Sequence, residues 1–134
     1  MSASPSELAG FRIVNILIME ANFKRESAIN FQDPIESKFA LNIVNSKDDI
    51  ANHYLVEVVA SLEGIQNETV KYSIWVKMMG IFDKIGEPSY SDEQFTTINA
   101  PAIIFPFIRE HIASLSLKSG IGNILLAPVN FTRQ

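Results

Sequence analysis

The chain has 134 residues, 47% of them hydrophobic, with 11 Lys and Arg against 15 Asp and Glu for a formal net charge of −4. That length supports one compact domain with a real core, and the acidic balance excludes a general nucleic-acid binder, which needs a basic stripe to displace counterions from phosphates. The absence of cysteine removes disulfides, thiol catalysis and thiolate metal sites, and with only His53 and His111 as imidazoles neither a metal nor a cofactor is expected.

Residues 1–9 are small and polar around Pro5, too poor in apolar surface to offset the entropy of ordering, and are expected to form a loose tail before a single domain over residues 10–134. The first residues show no positive start followed by an apolar run. The longest apolar stretches fall short of the about 20 residues that cross a bilayer, so a cytoplasmic protein without stable membrane insertion is expected.

From Phe11 the run FRIVNILIMEANF reads as an extended strand. Strict alternation puts Phe11, Ile13, Leu17, Met19 and Phe23 on one side and Arg12, Val14, Ile16, Ile18, Glu20 and Lys24 on the other, so both faces are substantially apolar. Lys24 to Glu36 mixes charges with Asn30, Asp33 and Pro34, which suits a connection, although Ile29 and Phe31 within it need cover. KFALNIVN is a second strand, with Phe39, Leu41 and Ile43 opposite Lys38, Ala40 and Asn42, and the cluster NSKDD after it supplies a turn.

HYLVEVVASLEG alternates in the same way, with Tyr54, Val56, Val58, Ala60 and Leu62 on one face. A turn is predicted at Gly64-Ile65-Gln66-Asn67. TVKYSIWVKMMGIF then places Val70, Tyr72, Ile74, Val76 and Met78 opposite Lys71, Ser73, Trp75, Lys77 and Met79. Gly80 is expected to weaken or bulge that ladder, and Gly86 and Pro88 to end it.

The period then changes. Asn99 reads as an N-cap with Pro101 in the first turn, and Ile104, Phe107, Ile108, Ile112 and Leu115 recur at helical spacing up to the Gly120 stop signal. Pro106 lies inside this pattern, so the helix either starts there or is kinked. Four strands and a long helix predict the α+β class, a four-stranded antiparallel sheet packed by a C-terminal helix. Glu110 and His111 are neighbours on that helix, about 100° apart around its axis, which does not suit joint work on one atom. KSGIGN lacks the lysine and hydroxyl spacing of a phosphate loop. No catalytic motif is present, and an enzyme is not expected.

The segments PAIIFPFIREHIASLSLKSG and ILLAPVNF, with Gly80-Ile81-Phe82 and the spacing of Phe11 and Phe23, resemble the export chaperone family SecB from about Phe11 to Phe131. The resemblance implies dimers formed through sheets and helices and paired into a homotetramer. It also implies an ATP-independent holdase that wraps unfolded preproteins and passes them to the motor SecA. On this chain the client groove would be lined by Ile29, Phe31, Phe39, Leu41, Ile43, Leu125 and Leu126, residues that would look identical as ordinary core. The oligomer interface would use Tyr72, Ile74, Val76, Met78, Phe107, Ile108 and Ile112, with Arg109 and Glu110 holding the helix against a neighbouring chain.

Partner docking would use Ile16, Ile18, Glu20, Lys24, Val59, Trp75 and Met79, a stripe that could equally be buried between subunits. Here the sequence departs from the family. Lys24 and Trp75 stand where the resemblance leads one to expect acids, so a SecA contact altered from the familiar route is expected. Members of the family continue past VNF with a further helix and an acidic tail, whereas Thr132, Arg133 and Gln134 alone follow here. Glu26 and Ile29 replace two family prolines, and the loop after the first strand is expected to move more freely. A chaperone dedicated to one partner, such as an antitoxin, is the alternative on the same fold. A small-molecule-binding or enzymatic domain is the alternative of another class, and needs a closed polar pocket at Glu110 or His111.

Overall fold

The computed structural model describes residues 10–48 and 53–133; the tail expected over residues 1–9 and the last residue of the turn expected at NSKDD lie outside them, while Asn45 to Asp48 continue the second strand instead of turning, each paired across to the third. Strands β1 (Gly10–Arg25), β2 (Glu36–Asp48), β3 (His53–Gln66) and β4 (Thr69–Ile85) form one antiparallel sheet in the order β1-β4-β3-β2. The β3–β4 hairpin is central, so the β1–β2 connection crosses the end of the sheet from one edge to the other.

The hairpin turn lies further on than predicted, at Asn67 and Glu68, whose φ angles are 52° and 63°. Positive φ at both central positions marks a type I′ turn, whose twist matches that of the flanking strands. Gly64 is instead a ladder residue opposite Tyr72. A Cβ on it would lie 2.1 Å from the Tyr72 ring, so the glycine serves close packing. Gly80 likewise keeps its place in the ladder, between Ile16 and Val56.

From Tyr54 to Gln66 of β3 and from Tyr72 to Phe82 of β4 the even-numbered residues are buried. Val56, Val58, Ala60, Ile74 and Val76 meet Ile104, Ile108 and Ile112 of the helix, each fully buried Val or Ile side chain contributing roughly 1.5–3 kcal/mol.

The first strand departs from strict alternation. Register shifts between Ile13 and Asn15 and between Ile18 and Glu20 each insert an extra residue into β1, and each insertion reverses the parity of the strand beyond it. Ile16 therefore pairs with Gly80, Ile18 with Met78 and Phe23 with Ile74, all on the helix-facing side, while Leu17 pairs with Met79 on the other.

The helical region begins earlier than the Asn99 signal suggests. Ser91 is the cap, its Oγ accepting from the Gln94 N–H at 3.0 Å ahead of α1 (Asp92–Gln94), a π-helical turn (Phe95–Asn99) and α2 (Ala100–Ser119). Asn99 is itself helical, with φ −72° and ψ −48° and no side-chain cap bond. Pro106 sits within α2 on its exposed side, where the carbonyl it leaves unpaired can face water. Gly120 ends α2 in the left-handed region at φ 70°. The chain then returns along the helix: the Ile124 N–H donates to Ser116 Oγ at 3.1 Å, Arg109 Nε donates to the Leu126 carbonyl at 2.9 Å, and the Phe131 ring meets Phe105 edge-on.

Candidate functional site

Three of the residues expected to line a groove come together on β2. Phe39, Leu41 and Ile43 pair with Leu62, Ala60 and Val58 and so share the helix-facing side of an edge strand. Leu41 and Ile43 are half-buried against the core, whereas Phe39 is 38% exposed, its ring edge-on to Phe105 at 6.5 Å. In the returning segment Leu126 packs on the core and Leu125 is 70% exposed. The result is a partly covered apolar strip beside the core.

Ile29 and Phe31 lie on the crossing β1–β2 connection. Ile29 packs against the core, and Phe31 is 49% exposed. The connection is tied down by two residues that sequence reasoning did not single out. Arg25 donates to the carbonyls of Glu26, Ser27 and Ser119, and Gln66 Nε2 donates to the carbonyls of Asn30 and Asp33 at 2.7 and 3.2 Å. Backbone carbonyls as acceptors leave no trace in the sequence. These hydrogen bonds fasten the connection at positions where the two family prolines are missing.

The expected docking set divides. Val59, Trp75 and Met79 share the outer sheet face, where Glu20 pairs with Lys77 and Lys24 with Ser73. Ile16 and Ile18 belong to the opposite face because of the first bulge. Lys77 lies 3.8 Å from Glu57 and 5.7 Å from the Trp75 ring centroid, so the indole sits among charges of both signs.

The expected oligomer interface requires correction. Tyr72, Ile74, Val76, Met78, Ile108 and Ile112 are buried within the chain, between sheet and α2, and present no surface to another subunit. Of that set Phe107, at 49% exposure, faces outward. Arg109 likewise bonds its own chain through the Leu126 carbonyl.

The polar clusters are structural in their geometry. Tyr54 donates to Asp92 Oδ2 at 2.7 Å and Lys84 lies 3.1 Å from Asp92 Oδ1, which fastens the start of the helical region to the sheet. The Tyr54 hydroxyl, and then Lys84, hold the Asp92 carboxyl below the usual carboxylate range, and the bond to Asp92 in turn raises Tyr54 and Lys84. A cavity of about 460 Å³ opens beside them, lined in part by Lys47, Glu93 and Thr96. Asp83 joins Arg12, at 2.8 Å, and His53; Arg12 first and His53 second lower its pKa. Glu110 is exposed, and the buried Nε2 of His111 has no hydrogen-bond partner. Among the described residues no three His, Asp or Glu side chains gather as metal ligands, and no helix is long and apolar enough to cross a membrane.

A helix-backed antiparallel sheet with apolar side chains left open beside its edge strand defines a polypeptide-binding architecture better than a reaction centre. Comparison with known proteins agrees. Residues 6–133 match the family model described as preprotein translocase subunit SecB, and the chain belongs to the SecB family. It is 29% identical over 132 residues to the protein-export protein SecB of Halorhodospira halophila, covering 97% of this chain and 76% of that one. It is 32% identical over 107 residues to that of Rickettsia typhi, covering 78% and 68%. Among solved structures, the Mycobacterium tuberculosis SecB-like chaperone Rv1957, in complex with a ChAD peptide from the HigA1 antitoxin, shares the fold with a TM-score of 0.76 at 14% identity, covering 90% of this chain and 91% of that one.

Proposed function

We propose that this protein is an ATP-independent holdase that binds extended, unfolded polypeptide, including preproteins for export, with no cofactor and no chemistry. The observation that carries the reading is the strip of Phe39, Leu41 and Ile43 on an edge strand, left partly open beside Phe105, in a chain of the SecB family. Apolar burial is non-directional, so such a strip tolerates many client sequences. The flanking Ile29, Phe31, Leu125 and Leu126 extend the apolar surface available to a client.

Assembly into a homo-oligomer, a dimer or a dimer of dimers, belongs to this reading, with Phe107 on α2 and Ile13, Val14 and Met19 on β1 as exposed apolar groups for the contact to cover. SecA belongs to this reading as a partner through an altered contact: Glu20 stands opposite Lys77 in the ladder, and Lys24 reverses the sign of the field at its position. The mixed charge around Trp75 favours, as a second reading, a chaperone dedicated to one partner such as an antitoxin.

The test is suppression of aggregation of a chemically denatured model protein at near-stoichiometric ratio. Wild type and Trp75→Ala should suppress it equally, and Phe39→Ala should need about tenfold more protein, the loss of one well-packed aromatic contact. A folded wild type that suppresses nothing rejects the holdase reading. A host pull-down separates the two partners: SecA with many preproteins supports the first reading, one dominant protein the second.

A further inference from the structure

The β1–β2 connection has to span the whole end of the sheet, from edge strand β1 to edge strand β2, and polar bonds fasten each of its halves. Its first half is fastened by Arg25, whose guanidinium bonds the Ser119 carbonyl at the end of α2, and by Glu26, whose N–H donates to the Lys71 carbonyl at 2.8 Å and whose carboxylate lies 3.1 Å from Lys71 Nζ. The second half is a tight turn. Asn30 accepts from the N–H groups of Gln32, through its side chain at 3.1 Å, and of Asp33, through its carbonyl at 3.2 Å.

Gln66 is what joins this turn to the sheet. Its side chain is buried, 4% exposed, at the end of β3, and its one amide nitrogen bridges the carbonyls of Asn30 and Asp33. Those two carbonyls flank Phe31 and Gln32, so both ends of the short segment carrying the exposed Phe31 ring are pinned by one group. A buried amide in this place is costly unless both of its contacts are made, which selects one loop geometry over the many an unpinned connection would sample.

We infer that Gln66 is a positioning residue: its two bonds to the Asn30 and Asp33 carbonyls hold the crossing connection so that Phe31 stands as a fixed apolar anchor for a bound, extended polypeptide. This rests on the holdase reading above. Gln66 makes no contact with the client itself and acts through Phe31. Fixing the ring in advance removes the ordering cost that a mobile aromatic would add to each binding event.

The experiment is a double-mutant cycle on the full chain with Gln66→Met, Phe31→Ala and the double variant, using fluorescently labelled, reduced and alkylated α-lactalbumin as a permanently unfolded client. Each single change should weaken client binding about fivefold, the equivalent of one lost hydrogen bond or small apolar contact. The double should bind within about twofold of the weaker single, because the two changes remove the same interaction. Fully additive losses, or Gln66→Met at wild-type affinity, overturn the inference.

Amide exchange supplies a readout that needs no client. Exchange at Gln32 and Asp33 should accelerate in Gln66→Met while Ile74 and Val76 stay protected, and unchanged exchange at the turn overturns the latch. Should Gln66→Met not fold, Asp33→Ala loosens the turn from its exposed side, through the 3.1 Å bond from Asn30 Nδ2, and should reproduce both effects. A wild type that holds no client rejects the holdase reading and the anchor with it, whereas accelerated exchange in that case still separates the latch from the function.

Discussion

The phenyl ring of Phe11 lies flat against that of Phe95, with centroids 3.8 Å apart and planes within 5° of parallel. Phe95 in turn meets the buried ring of Phe82 edge-on at 5.0 Å. This chain of rings ties the first residues of an edge strand to the π-helical turn and so to the centre of the core. Phe11→Ala should lower unfolding stability by about 2 kcal/mol, below the range for a fully buried phenylalanine because Phe11 is half-buried. Urea denaturation followed by circular dichroism checks it, and an unshifted midpoint would remove the ring stack from the account of how β1 is held.

Gly80 leaves room for its neighbours. A Cβ there would lie 2.5 Å from the Phe82 ring and 2.9 Å from Ile104 Cδ1. Gly80→Ala should cost about 1–3 kcal/mol through overpacking. Phe82→Leu in the same chain should make the alanine more tolerable than it is beside Phe82, a coupling read from the four unfolding curves of the cycle.

Ser116 is fully buried, donates to the Ala113 carbonyl at 2.8 Å and accepts from Ile124. Ser116→Ala leaves the Ile124 N–H without its acceptor and should cost about 1–3 kcal/mol. Faster amide exchange at Ile124, against unchanged exchange at Ile108, would place the loss in the returning segment; equal acceleration at both would contradict it.

Acid should weaken the fold through Asp92 and Asp83. Both carboxyls have folded pKa values below the ordinary carboxylate range, so their stabilisation is fully present above that range and is lost as pH falls through the depressed values. Tyr54 and Lys84 are raised, so their share is present at neutral pH and is lost only as pH rises through values above their ordinary ones. Stability should therefore be flat around neutrality and fall at both extremes. Asp92→Asn should lower the plateau and shrink the acid-side fall, as measured by unfolding across pH; an acid limb identical to wild type would rule out this role for Asp92.

The fold class and the central hairpin were legible because β3 and β4 bury one face and keep strict period-two alternation, and because Ile104, Ile108 and Ile112 repeat at helical spacing. The Gly120 stop was legible for a similar reason, since a left-handed residue after a periodic run has a local signature. Of the candidate site, Phe39, Leu41 and Ile43 could be grouped from alternation alone. Ser91, followed by two acids, carried a start signal that the stronger-looking Asn99 and Pro101 obscured.

By itself the sequence determined the element types, which residues share a face of β3 and of β4, and the family, since each depends on periodicity or on segments read locally. Only the tertiary structure decided which side Ile16 and Ile18 take, that Tyr72, Ile74, Val76 and Met78 are closed off within the chain, and that Gln66 and Arg25 hold the crossing connection. Bulges are set by pairing with another strand, burial by what the chain folds against, and a latch by backbone carbonyls that every residue carries, so none of the three is written in the spacing of side chains.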